Sequence, residues 1–167
     1  MRMIAIAAGV VLLATTALAQ QPASTAAAPT PDTDTTRLGY VSAADIAAGL
    51  RKLPQDRADV AFRIFQIPPY NVNAAHRAPV TQIANVHENQ AELFTVLDGS
   101  GSIVWGGKLV GVTRNGANVT GKSIDGGTTQ KLAKGDFFIV PAGLPHMFAD
   151  LPPRGLQVMQ LYLPKTN

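Results

Sequence analysis

Short runs of strand-forming residues, separated by turn-forming residues, fill the chain beyond Asp56. Val, Ile, Phe, Leu and Thr dominate the runs, while Gly, Pro, Asn and Asp stand between them, which is typical of β-strands joined by tight turns. The predicted strands are 60–67, 80–86, 92–97, 102–105, 130–132, 137–140, 146–149 and 156–163. Many short strands at this spacing indicate an all-β sandwich or barrel.

Turn residues divide this strand-rich region further. Asp98-Gly99 lies between two predicted strands and predicts a hairpin, and Lys134-Gly135-Asp136 predicts a tight turn. Residues 106–129 are rich in Gly, Asn, Ser and Thr, so we expect a long, partly irregular hairpin there. The length of 167 residues suits a single domain, and no repeat, heptad or second domain is visible in the sequence.

The first 19 residues have the pattern of a secretory signal peptide. A short positive segment with Arg2 precedes an apolar run, and Ala17-Leu18-Ala19 forms a small-x-small cleavage site. The alternative is an uncleaved anchor helix, but the apolar run is shorter than the about 20 residues that a membrane span needs. We therefore expect cleavage after Ala19 and a periplasmic or secreted protein that has no membrane contact after cleavage.

Residues 20–40 are rich in Ala, Pro, Thr, Ser and Asp without an apolar period, and we expect a flexible leader there. Residues 41–54 predict a short helix. Ser42 and Asp45 resemble a capping box, and apolar residues follow near helical spacing until Pro54. We expect this amphipathic helix, over 43–52, to pack on the main domain at 58–164.

Composition excludes several classes of site. The chain contains no Cys, so it can form no disulfide, thiolate nucleophile or Cys-ligated metal site. Any metal must be held by nitrogen and oxygen atoms. Lys and Arg number 14 against 11 Asp and Glu, a net charge of +3, and they are scattered, so we expect no nucleic-acid partner.

The chain has three histidines, His76, His87 and His146. Asn85 lies two residues before His87, so both side chains leave the same face of a strand. If the chain turns over at 88–91 and returns as a neighbouring strand, Glu92 faces His87 across the strand pair. This arrangement places an imidazole, a carboxylate and an amide on one surface.

Two groups of residues have a fixed spacing. The first group is Pro79, Asn85, His87, Glu92 and Gly99, and the second is Gly135, Pro141, Gly143, His146 and Asp150. These groups resemble the two motifs of the cupin superfamily, Gly-x5-His-x-His-x3-4-Glu-x6-Gly and Gly-x5-Pro-x-Gly-x2-His-x3-Asn, with departures at Pro79, Asn85 and Asp150. The resemblance implies an all-β, single-domain, cupin-type double-stranded β-barrel, or jelly roll, preceded by the short N-terminal helix.

The resemblance also implies a metal site. His87, Glu92 and His146 would hold one divalent transition metal, with Asn85 where the family usually has its first histidine. Asn85 would be a weak fourth ligand or a hydrogen-bond partner of bound water. Two histidines and one carboxylate form the facial triad of non-haem iron(II) oxygenases, and the sequence does not distinguish Fe, Mn, Zn, Ni and Cu.

An alternative is a barrel that has kept the fold and lost the metal. A buried, unpaired glutamate is costly. In that alternative, Glu92 would have to pair with a histidine or with a nearby arginine such as Arg63 or Arg77.

Four further residues are candidates for substrate binding: His76, Phe94, Phe148 and Tyr162. For His76 the alternative is an ordinary polar residue with its hydrogen bonds satisfied. The first functional hypothesis is an exported protein acting on a small organic molecule by dioxygenase, isomerase or lyase chemistry. The second is a non-catalytic cupin that binds a small ligand or a metal, and the sequence leaves open whether the protein is an enzyme. The resemblance is also compatible with a homodimer.

Overall fold

The computed structural model describes residues 30–165, so the predicted signal peptide and the first part of the predicted leader lie outside the described residues. This part of the chain forms one helix and twelve strands. In chain order they are α1 Ala43–Lys52, β1 Val60–Ile67, β2 Tyr70–Arg77, β3 Ala84–His87, β4 Gln90–Trp105, β5 Lys108–Val110, β6 Thr113–Asn115, β7 Asn118–Gly121, β8 Ser123–Asp125, β9 Thr128–Ala133, β10 Phe137–Val140, β11 His146–Ala149 and β12 Leu156–Pro164.

Two antiparallel layers share the long strand β4. Its first part, residues 90–99, pairs with β12 on one side and β10 on the other, and β2 and β1 continue that layer beyond β12. Its last part, residues 100–105, pairs with β9 and β11, and β3, β7 and β6 continue the second layer. β5 and β8 form a small separate ribbon. The all-β prediction is therefore confirmed.

The predicted hairpin at Asp98-Gly99 is wrong, because β4 runs through this position without reversing. Gly99 has a φ of +84°, and a Cβ atom there would overlap the carbonyl oxygen of Gly155. The register against β12 shifts at the same place, since Gln157 pairs with Asp98 whereas Val158 pairs with Val96. The positive φ of Gly99 thus lies where one continuous strand passes from one layer to the other.

Other strand predictions differ in extent. The predicted strand 80–86 begins only at Ala84, because the side chain of Gln82 donates to the carbonyl oxygens of Ala78 and Val80 and holds a local turn. Strand β2 was not predicted, since its Asn and Ala residues have low β-propensity. Residues 106–129 form the short strands β5 to β8 and the start of β9, in agreement with the predicted irregular hairpin.

Helix α1 has the predicted bounds, and the Ser42 side chain accepts a hydrogen bond from the backbone N–H of Asp45. Its Leu50 packs with Phe62 on the outer side of β1 and β2. A second apolar core fills the barrel.

Asp32, in the predicted leader, forms an isolated bridge with Phe65. The flexibility of the leader over 20–40 stays a prediction. Within residues 30–165, no helix has the length and apolarity required to cross a membrane.

Candidate metal centre

Three strands bring two histidines and a glutamate to one point inside the barrel. His87 is the last residue of β3, Glu92 lies near the start of β4, and His146 is the first residue of β11. β3 and β11 belong to one layer, whereas the first part of β4 belongs to the other. His87 and Glu92 therefore face each other across the barrel interior, and the expected cross-strand pair between them is wrong.

The distances within this cluster are short. The Nε2 atom of His146 lies 2.8 Å from Oε2 of Glu92, and the Nε2 atom of His87 lies 3.4 Å from Oε1 of the same carboxylate. The candidate ligand atoms all lie within 4.8 Å of one another. The Glu92 side chain is 2% exposed and that of His87 is 18% exposed, so the cluster is buried but reaches toward solvent at His87.

In each histidine of the cluster, the ring nitrogen that does not face Glu92 lies beside a hydrogen-bond acceptor. The Nδ1 atom of His87 lies 2.7 Å from Oδ1 of Asn118, and the Nδ1 atom of His146 lies 3.2 Å from the backbone oxygen of Leu144. An oxygen of this type only accepts, so each neutral ring carries its proton on Nδ1 and presents a lone pair at Nε2. Sequence reasoning missed Asn118 because β7 is distant in the chain from β3.

The chemistry of this donor set fits a divalent transition metal. Two imidazole nitrogens and a buried carboxylate converge, and one ligand atom from each residue lies within 4.8 Å of the others. Imidazole nitrogen and carboxylate oxygen are preferred ligands of such metals. Outer hydrogen bonds to carbonyl oxygens are the usual support of metal-bound histidines. The structure thus brings together three of the four predicted ligands in a suitable arrangement.

Glu92 stays ionised despite its burial. Burial alone would raise the pKa of this carboxyl, but His146, His87 and Gln160 outweigh that effect and lower its pKa below the usual value. The side-chain amide of Gln160 donates to Oε1 of Glu92 and lies 3.0 Å from the hydroxyl of Tyr162. Sequence reasoning missed Gln160, because no spacing links β12 to the first motif.

No protein-family model matches this sequence, and no curated protein matches it. Solved structures do match. The cupin domain of Cnp3 from Schizosaccharomyces pombe is 12% identical, with a TM-score of 0.51 over 70% of this chain and 67% of that chain. A protein with a double-stranded beta-helix domain from Klebsiella pneumoniae subsp. pneumoniae is 18% identical, with a TM-score of 0.52 over 71% of this chain and 86% of that chain. The chain has the cupin fold.

A third solved structure matches a larger share of this chain. A protein from Bacillus halodurans is 13% identical, with a TM-score of 0.53 over 81% of this chain and 89% of that chain. The predicted resemblance to the cupin superfamily is therefore confirmed as a fold. At these identities the likeness carries no information about activity.

The cupin barrel holds a small cavity of about 80 Å³ beside the cluster. Besides the three residues of the cluster, the predicted site residues Asn85, Phe148 and Tyr162 line this cavity. The side-chain N–H of Asn85 donates to the backbone oxygen of Ile83 at 3.3 Å, and its role as a metal ligand stays a prediction. Burial, together with the charge of Glu92, raises the pKa of Tyr162 to about 12.

Two predicted substrate-binding residues do not line this cavity. Phe94 is 1% exposed and lies deeper in the cupin core. Its ring centre lies 5.0 Å from that of Phe138 in a stacked arrangement and 5.6 Å from that of Phe148 in an edge-to-face arrangement. His76 lies on the face of β2 opposite to Arg77 and pairs with Gln157. It is buried there against Gly155. Phe94 and His76 are buried outside this cavity, and their contact with a substrate stays a prediction.

The two arginines considered as partners of Glu92 bind elsewhere. Arg77 forms an ion pair with Asp59, and Arg63 donates to Oδ1 of Asn73 at 3.4 Å. Glu92 contacts His87 and His146 instead. These contacts fit a metal site, and they also fit the metal-free alternative, in which a histidine pairs with Glu92.

Proposed function

We propose that this protein binds one divalent transition metal through His87, Glu92 and His146 and acts on a small organic molecule. The observation that carries the proposal is the convergence of the buried Glu92 carboxylate with the Nε2 atoms of His146 and His87, at 2.8 Å and 3.4 Å. A metal bound there would supply Lewis-acid or redox chemistry. Dioxygenase, isomerase and lyase reactions are the reaction types we propose to test.

The chain's own residues prepare the cavity for such a reaction. Gln160 fixes the orientation of the Glu92 carboxylate, because its amide donates to one carboxylate oxygen and also contacts the Tyr162 hydroxyl. With a pKa of about 12, the Oη atom of Tyr162 holds its proton at neutral pH. Phe148 and Met147 form apolar wall and limit the access of water. These residues bind, orient and shield a ligand.

The size of the cavity favours a second candidate function. Its volume of about 80 Å³ is well below the roughly 300–1,000 Å³ of typical ligand pockets. A cavity of this size suits a metal with a very small ligand. A non-catalytic metal-binding or small-ligand-binding role is therefore the alternative to catalysis.

Titration of the metal-free protein with Mn²⁺ or Zn²⁺ tests the proposed site. We expect one site in the wild type and a loss of affinity of at least about a hundredfold in Glu92→Gln, because the variant lacks the charged ligand. Glu88→Gln is the matched control, since Glu88 is nearby in the sequence but pairs with Arg114 on the surface. Equal affinities in the wild type and Glu92→Gln would contradict the site.

A product screen separates enzyme from binding protein. The metal-loaded wild type and His146→Ala are incubated with catechols, keto acids and modified sugars, and products are detected by mass spectrometry. Product formed by the wild type alone supports catalysis at this site. Binding without turnover supports the alternative.

We also propose that the protein is exported and cleaved after Ala19. The support is the signal-peptide pattern of residues 1–19, which lie outside the described residues. Expression of the full chain in a bacterial host, followed by intact-mass measurement of the periplasmic fraction, tests this. A mass that lacks the first 19 residues supports export, whereas an uncut chain retained in the cytoplasm contradicts it.

A further inference from the structure

Arg77 places a buried positive charge in the same cavity as the candidate metal ligands. Its side chain is 7% exposed, and its Cζ atom lies 4.9 Å from the centre of the Phe148 ring. Among the described residues that line the cavity, Arg77 is the one Lys or Arg. Burial of a guanidinium costs free energy unless its N–H donors are hydrogen-bonded. The acceptors around Arg77 therefore indicate which kind of ligand it can bind.

The donors of Arg77 are incompletely matched. One terminal nitrogen bonds Asp59, and the other reaches Oε1 of Gln160 at 3.5 Å, the limit of a hydrogen bond. The buried Nε atom has no hydrogen-bond partner among residues 30–165. The guanidinium therefore retains donor capacity inside the cavity, which an acceptor with two oxygens could use.

Gln160 connects this cation to the metal-ligand cluster. Its side-chain oxygen accepts from Arg77, and its side-chain nitrogen donates to Glu92. The guanidinium and the Glu92 carboxylate are thus separated by a single amide group. A ligand that contacts Arg77 through one end would have its other end beside the cluster.

The charges that line the cavity would favour an anion once a divalent metal is bound. Asp59, Arg77 and Glu92 are its charged side chains among the described residues, with a net charge of −1. A divalent metal would change this net charge to +1, which one carboxylate would neutralise. Asp59 is 51% exposed, so its hold on Arg77 is weakened by solvent and a ligand can compete with it.

We propose that Arg77 anchors the carboxylate of a small acid in this cavity, beside the His87–Glu92–His146 cluster. Guanidinium and carboxylate are both planar and form two parallel hydrogen bonds. The volume of about 80 Å³ restricts the acid to a few heavy atoms, such as a short 2-oxo acid. This inference rests on the proposed function, because it names the substrate class of that site.

The test is calorimetric titration of Mn²⁺-loaded protein with pyruvate and with its neutral analogue pyruvamide. We expect pyruvate to bind at least about tenfold more tightly than pyruvamide to the wild type. In Arg77→Gln this preference should disappear, because the cation is lost. The matched control is Arg114→Gln, since Arg114 is exposed and pairs with Glu88 outside the cavity.

The Asp59→Asn variant is expected to change the affinity for pyruvate in the direction opposite to Arg77→Gln. The variant keeps Arg77 but removes its competing anion, so pyruvate affinity should rise by several-fold. A purely structural ion pair predicts no such gain. No pyruvate binding to the wild type, equal binding by Arg77→Gln, or no gain in Asp59→Asn would each overturn the inference.

Failure of the inference can be distinguished from failure of the proposed function. If the wild type binds no Mn²⁺, the proposed function is contradicted, and the same pyruvate titrations are made on the metal-free chain. Dependence on Arg77 and Asp59 would then still support the carboxylate site. If Mn²⁺ binds and the affinity for pyruvate is the same in the wild type, Arg77→Gln and Asp59→Asn, the carboxylate site is wrong and the metal site is still supported.

Discussion

The Nε2 atom of His146 lies 2.8 Å from Oε2 of Glu92, although Nδ1 of the same ring faces the backbone oxygen of Leu144. In the neutral ring, two electron-pair donors therefore approach each other in a buried site. They repel unless a proton or a cation lies between them. In the metal-free protein a proton can fill this role, and a metal would replace it.

This competition between proton and metal predicts a pH-dependent metal affinity. Imidazole must be deprotonated to bind a metal, so protons and metal exclude each other at His87 and His146. We expect the affinity for Mn²⁺ or Zn²⁺ to fall as the solution becomes acidic, because a protonated imidazole has no lone pair for a metal. Titration calorimetry over a pH series checks this, and full occupancy at about pH 4 would argue against imidazole ligands.

Asn118 is predicted to position His87. Its side-chain oxygen accepts from Nδ1 of His87 at 2.7 Å and so keeps Nε2 free. Asn118→Ala should weaken metal binding about 10- to 100-fold, while Asn118→Asp should retain most of the affinity because it keeps the acceptor. Asn115→Ala in the same hairpin is the control, and an equal loss in that variant would point to a general effect on β6 and β7.

Gly99 is predicted to be essential for the fold, because its φ is positive and a side chain would overlap Gly155. Gly135 has a similar φ of +93° but open space around its Cβ position. Gly135→Ala should cost roughly 1–2 kcal/mol of unfolding free energy, and Gly99→Ala should cost clearly more, about 3 kcal/mol or above. Urea denaturation measures both, and equal costs would mean that the overlap is easily relieved.

His76 is predicted to make stability depend on pH. It is 1% exposed, and burial lowers its pKa below the usual 6.5. Between these two pKa values the unfolded chain binds a proton that the folded chain does not, so the unfolding free energy falls as the pH drops below 6.5. Its decrease from about pH 7.5 to about pH 5 should be smaller in His76→Gln, and an unchanged slope would refute the role of His76.

The sequence predicts the fold and the cluster well where local signals suffice. The helix follows from its cap, and strands such as β1, β10 and β11 follow from their residue types. The resemblance to the two cupin motifs correctly implies that His87, Glu92 and His146 lie near one another. Each of these features depends on neighbours in the chain or on a pattern of fixed length.

Features that depend on distant contacts could not be predicted. A positive φ at a glycine occurs both in hairpin turns and in bends of a continuous strand. Only the pairing of β4 with β12 shows that Gly99 lies in a bend. Alternation places Phe94 on the same face as Glu92, but it does not say which lies deeper in the barrel. His76 and Arg77 occupy opposite faces of β2, and which face points inward is set by the register of that strand.

Elemental analysis of the protein, purified without added metal, tests the central claim most directly. The account predicts one equivalent of a transition metal in the wild type and its loss in both His146→Ala and Glu92→Ala. Folding of the variants is checked by circular dichroism, so that metal loss is not confused with unfolding. A wild type without metal, together with unchanged stability in both variants, would contradict the account.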